Sequence, residues 1–281
     1  MNLNYHIDKL ESSFNKKSKW KGNPIIGRLM NEYRNLGITQ AMKDYVLTGD
    51  LSTYIKKINE YDFIIYQYAK ESQASNPVST RQTKILSTWR ENIWTPIWER
   101  LRSILQTRTN LKLVTIQNKP VAQSFYSTGE YKFKDVDGGI GLIIKEGLIE
   151  PLLSVEDKGG HACSTAMDGI QGQGLQFSLS YPYSLFLFIT DNNFSVKDDK
   201  STALYQNVDG IICSRGTNRK NLKGYDPVDE NRIDAVIKKV ESYFTKKMIS
   251  LCVKNRRTIK VKGQSHSIRN VLDQKGSYFN F

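Results

Sequence analysis

The amino-acid pattern predicts an α+β protein: a helical N-terminal region, then an α/β domain with a central mixed sheet flanked by helices. Three observations predict it. Through the first hundred or so residues, apolar side chains recur at helical spacings of three and four. From about Leu111 they alternate or run together, as strands do. Near Asp229 the helical spacing returns for one long final stretch. The boundary is placed between residues 110 and 111, giving regions 1–110 and 111–281.

"YDFIIYQYAKES" reads as a buried helix, and "ASNPVS" as the loop after it. Ser79 or Thr80 can cap a helix that begins "RQTKILSTW". Thr95-Pro96 is expected to restart the helix, because proline is favoured at a first helical position. Trp94, Ile97, Trp98, Leu101 and Leu105 then share one face. The tryptophans are expected in the core; stacking on nucleobases is the rival reading.

Five strands follow. "LKLVTIQ", "YKFKDVDGGIGLII", "PLLSVE", "YSLFLFIT" and "VDGIICS" each alternate or run apolar for strand lengths. The last helix starts near Asp229, with Ile233, Val236, Ile237, Val240, Phe244, Met248 and Leu251 as its stripe. No internal repeat and no low-complexity tract interrupts the chain.

The 281 residues carry 41 Lys plus Arg against 28 Asp plus Glu, a formal charge of +13. That balance predicts attraction to a polyanion, nucleic acid first and an anionic membrane surface second. Hydrophobic residues make up 39%, enough for a proper core. No apolar run has the length of a membrane span, since "LFLFIT" stops far short. "MNLNYHIDKLESSF" lacks the apolar segment of a secretory leader. Cys163, Cys213 and Cys252 form neither a disulfide framework nor a CxxC pair, so a reducing, cytoplasmic setting is expected.

"PLLSVEDKGGH", residues 151–161, runs an apolar strand directly into Glu156, Asp157 and Lys158 and then breaks it with two glycines. Residues two apart on a strand share a face, so Glu156 and Lys158 look one way and Asp157 the other. Asp135 and Asp137 share a face of the preceding strand, and "KEG" at 145–147 signals the turn between them. Folding there sets Asp137 opposite Glu156. Two carboxylates with room for water make a hard oxygen site suited to Mg²⁺. Such a metal can polarise a phosphate, with Lys158 stabilising developing charge or handling the attacking water. The expected result is hydrolysis of a phosphodiester. The rival reading is a Glu156–Lys158 ion pair at a strand end, with aspartates that only punctuate a turn.

On these residues the chain resembles a known family. "DVDGGIGLII…LLSVEDK" resembles the PD-(D/E)xK nuclease motif. The longer "PLLSVEDKGGHACSTAMDGIQGQGLQFSLSYPYSLFLFITDN" is similar to type II restriction endonucleases of the BbvCI kind, and the likeness spans about residues 131–193. The resemblance implies a PD-(D/E)xK core and a prokaryotic, Mg²⁺-dependent enzyme cutting double-stranded DNA at a short asymmetric site. It also implies a second, related but different subunit, each subunit cutting one strand. Asp137 matches the motif's first acid, Glu156 its second and Lys158 its lysine. Val136 stands where the motif has proline, and Asp135 is the rival first acid. A homodimeric or structure-specific nuclease of the same fold, or a non-catalytic nucleic-acid-binding protein, are the alternatives.

After Lys158, Ser164 or Thr165 can cap a helix whose glycines suggest close packing or approach to DNA. Gln171 and Gln173 can support the site or touch DNA, or serve as surface amides. Glu99 is a further candidate to reach the metal from its helix; a surface glutamate is the plainer reading. His161 and Cys163 lack paired metal-ligand spacing, so zinc is not expected. Three basic clusters complete the set. "NKKSKWKGN" includes Lys19 and Lys21, and "KNRRTIKVK" includes Arg256 and Arg257; both suit phosphates. "SRGTNRKNLKGY" offers Arg215, Asn218, Arg219, Lys220, Asn221 and Lys223, with the chemistry to read base edges. Solvated charge is the plain alternative for all three.

Overall fold

A computed structural model describes residues 1–15, 21–73, 79–108, 111–124, 131–145, 148–158, 184–190, 210–215, 225–255, 259–261 and 264–266. The chain enters through α1 (Tyr5–Asn15), α2 (Pro24–Asn35), α3 (Ile38–Thr48), α4 (Leu51–Gln73) and α5 (Ser79–Arg108). Local chemistry sets several of these ends. Pro24 occupies the first turn of α2, and Asn23 Oδ1 accepts from the Ile25 amide at 2.9 Å, capping a free donor. Helix α3 stops at Gly49, whose φ of 82° is the left-handed conformation that glycine adopts at a helix C-terminus.

Pro96 does not restart a helix; it lies inside the 30-residue α5. A proline there removes one helical hydrogen bond and clashes with the preceding turn, at about 3 kcal/mol. The buried face of α5 outweighs that cost. Trp89, Ile93, Trp94, Ile97, Trp98, Leu101 and Leu105 are all buried on both sides of the proline, and each such side chain stabilises by roughly 1.5–3 kcal/mol on leaving water. The three tryptophans therefore belong to the core.

Strands β1 (Leu113–Ser124), β2 (Tyr131–Lys145), β3 (Leu148–Lys158), β4 (Leu185–Thr190) and β5 (Gly210–Cys213) form one mixed sheet in that order. The first three make an antiparallel meander, while β4 and β5 run parallel to β3. Helix α6 (Glu230–Asn255) follows, capped where Asp229 Oδ1 accepts from the Asn231 amide at 2.9 Å. The short strands β6 (Ile259–Val261) and β7 (Gln264–His266) pair antiparallel beside it.

Helix α5 packs across β1, β2 and β3, and α6 packs on α4, α5 and β5. One buried cluster holds side chains from Ile7 of α1 through the sheet to Phe244 of α6. Within it His6 is fully buried, Nδ1 at 3.0 Å from Thr88 Oγ1 and Nε2 at 3.2 Å from Tyr61 Oη. Burial pulls its imidazole down to about 3, so it is a neutral hydrogen-bonding core residue. No helix among the described residues is long and apolar enough to cross a membrane.

Candidate active site

The hairpin of β2 and β3 determines which acids meet. Gly138 pairs with Val155 and Lys145 with Leu148. Asp137 lies eight residues before Lys145, and Glu156 eight residues after Leu148, so the two follow directly on the last pair. Two irregularities lie between these pairs, one adding a residue on β3 beside Pro151 and one adding a residue on β2. They cancel, and the register returns. Proline at such an interruption gives up no ladder bond.

Pleating then sorts the faces. A Cβ on Gly138 would lie only 3.2 Å from Trp98 Nε1, so Gly138 faces α5 and its partner Val155 does the same. Asp137 and Glu156 accordingly share the opposite face. Asp157 returns to the α5 face, where its Oδ1 accepts from Arg90 Nε at 3.0 Å. The Asp157 amide donates to Asp137 Oδ2 at 2.8 Å, which ties the first acid to the strand of the second. Asp137 is half-buried and Glu156 is 4% exposed. Ser154, two residues before Glu156, is fully buried, and among the described residues its Oγ has no hydrogen-bond partner.

Gly139 makes the close approach possible. Its φ is 142°, and a Cβ there would run into the Leu153 carbonyl oxygen across the strand pair. Gly139→Ala is expected to destabilise the protein by at least about 2 kcal/mol through backbone strain alone. Urea denaturation measures it; an unchanged midpoint would show that the hairpin closes without the glycine.

The donor chemistry suits a hard cation. Asp137 Oδ1 and the Glu156 carboxyl are oxygen donors on neighbouring strands, and Mg²⁺ takes one or two carboxylates before completing its shell with water and phosphate oxygens. Among the described residues, no three His, Cys, Asp or Glu side chains gather to hold a metal.

Other expected site residues are placed as follows. Lys158 ends β3 beside Thr190 of β4, two residues on from Glu156; its side chain lies outside the described residues. Asp135 pairs with Pro120 of β1, beyond the reach of the β2–β3 ladder, and its side chain is likewise outside them. Gln171, Gln173, His161, Cys163, Asn218, Arg219, Lys220, Asn221, Lys223, Lys19, Arg256 and Arg257 lie outside the described residues. Lys21 is exposed in the turn before α2.

Two expectations are corrected. Glu99 does not approach the two acids. It bonds Arg102 at 2.6 Å and Thr115 of β1, and Thr115 pairs with Ile140 on the α5 face, opposite to Asp137. Burial pushes the Glu99 carboxyl up, but the bonds from Arg102 and Thr115 together hold it below its ordinary range.

Arg215 is not a DNA-facing residue. Its side chain is 5% exposed and forms a two-pronged pair with Asp62 of α4, Nη1 to Oδ2 at 2.6 Å and Nη2 to Oδ1 at 2.9 Å. Nη1 also donates to the Asp226 carbonyl at 2.6 Å. A guanidinium fork matches a carboxylate in this geometry, and a buried charge requires such a partner.

Arg90 has no motif spacing around it and was not among the expected residues. Its only sequence signal is its place one turn before Trp94, on a helix whose tryptophans are core. No protein-family model matches this chain, and no curated protein is significantly similar to it.

Proposed function

We propose that the chain is a subunit of a Mg²⁺-dependent, sequence-specific DNA endonuclease of the PD-(D/E)xK type, hydrolysing one strand's phosphodiester while a second subunit cuts the other. The observation that carries the reading is the hairpin register, which sets Asp137 beside Glu156 and leads β3 directly on to Lys158. The formal charge of +13 supports a polyanionic substrate.

In this reading Asp137 and Glu156 hold the cation, which supplies Lewis acidity to the scissile phosphate. Lys158 stabilises the charge that builds on the phosphate, or positions the attacking water. Buried Val155 and the packed end of β3 keep the acids from wandering, so the geometry is pre-formed before substrate arrives. The polar and basic residues Asn218, Arg219, Lys220, Asn221 and Lys223 are assigned to base edges, and Lys19, Lys21, Arg256 and Arg257 to phosphates.

Plasmid digestion tests it, using the chain alone and with the product of a neighbouring gene, with Mg²⁺ and with EDTA. Cleavage at a defined sequence is expected in Mg²⁺ only. Asp137→Ala and Glu156→Ala should each abolish it while DNA binding persists. Robust cleavage by Glu156→Ala, or DNA binding with no metal-dependent cleavage under any of these conditions, defeats the assignment.

A further inference from the structure

Beyond Val155 the β2–β3 ladder stops, so the end of β3 that presents Glu156 is paired through Lys158 on its β4 edge alone, and its β2 edge calls for a restraint of its own. Asp157 meets it in two directions. Its amide donates to Asp137 Oδ2 at 2.8 Å on one face. On the other, its carboxylate takes the Arg90 guanidinium at 3.0 Å, with the two side chains 4% and 14% exposed. A charge-assisted bond so little open to solvent is less screened and stronger than a surface pair.

The helix behind Arg90 is itself immobilised. Trp89, Ile93 and Trp94 are buried around it, and Trp98 lies against Gly138 of β2. A displacement of Asp157 would therefore be transmitted along the strand to its neighbours Glu156 and Lys158, and through its amide to Asp137. Misplacement of a reacting group by about 1 Å can lower a rate on the order of a hundredfold.

We infer that Arg90 is a positioning residue for the two-carboxylate site: it clamps Asp157 to α5 and so fixes the separation and orientation of Asp137 and Glu156. The inference rests on the reading of those acids as a cation site. It assigns Arg90 no contact with metal or DNA.

The test uses full-length chain and two measurements, Mn²⁺ binding followed by the loss of the free-ion resonance signal, and plasmid cleavage with the partner subunit. Wild-type chain should bind Mn²⁺ and Asp137→Ala should not. Equal binding by these two, or none by either, overturns the cation-site reading itself. Given that difference, Arg90→Met should weaken Mn²⁺ binding by about tenfold and slow cleavage by roughly a hundredfold, with DNA affinity unchanged.

Arg90→Met leaves Asp157 without this partner and can lower stability, so Arg90→Met combined with Asp157→Asn is the second variant. It removes the charge along with its partner and should recover the wild-type denaturation midpoint while Mn²⁺ binding and cleavage stay impaired. Arg90→Lys, which keeps a cation, should regain part of both. Wild-type Mn²⁺ affinity in Arg90→Met, or full recovery of cleavage in the double variant, would show that the pair only neutralises a buried charge and would overturn the inference.

Discussion

Lys158→Ala in this chain alone is expected to turn the assembled enzyme into a nickase. On the proposed reading the chain carries one acid–acid–lysine set, on the β2–β3 hairpin. The other short spellings lack a partner strand in the sequence pattern; "DDK" at 198–200 lies in a polar stretch. One set serves one scissile phosphate, so a double-strand break needs a second site from another subunit. If that subunit is a different chain, as the family resemblance implies, each site belongs to one defined strand. Losing the lysine's charge stabilisation or proton handling should slow this chain's strand by roughly a hundred- to ten-thousandfold. The partner's strand is still cut. Supercoiled plasmid should go to open circles and stop, with sequencing placing every nick on the same strand. Continued linearisation, or nicks on both strands, would mean equivalent subunits or a site that cuts twice.

The largest loss of stability is expected from Asp62→Ala. The pair it forms with Arg215 is buried on both sides, and it joins α4 to the segment between β5 and α6. Removing the carboxylate leaves a buried guanidinium without its main counter-charge, which costs about 3–5 kcal/mol. Trp89 Nε1, which donates to Asp62 Oδ1 at 2.9 Å, loses its acceptor as well. Around the pair, Asn59 bonds both the amide and the carbonyl of Val228, at 2.9 and 3.0 Å, and Tyr225 Oη bonds the Asn59 carbonyl at 3.2 Å. Burial first, and then the Asp62 carboxylate, push the Tyr225 hydroxyl well up, so it remains a neutral donor. Urea denaturation of Asp62→Ala, Arg215→Met and Asp62→Leu with Arg215→Met measures the effect. The double variant should be more stable than either single one, because no charge is then stranded. A loss below about 1 kcal/mol in Asp62→Ala would place the pair with weak surface bridges.

What the sequence by itself determined is periodic and local. Five strands and the final helix were legible because alternation and helical spacing show directly in runs such as "LFLFIT" and in the stripe from Ile233 to Phe244. The register that brings Asp137 and Glu156 to the same end of the β2–β3 ladder was legible too, since distance from a turn sets hairpin register and the two strand irregularities happen to cancel. Tertiary structure decided the rest. Pro96 carries a local helix-start signal, yet it stays inside α5 because aromatic burial on both sides exceeds the cost of one missing bond. Arg215 stands in a basic, turn-rich stretch that reads as solvent- or DNA-facing, and only a carboxylate 153 residues earlier in the chain draws it into the core. Arg90 looks like any helical arginine until Asp157, 67 residues on, comes under it. Periodicity is a property of neighbours along the chain, whereas the burial and partner of a charge depend on which distant surfaces the fold brings together.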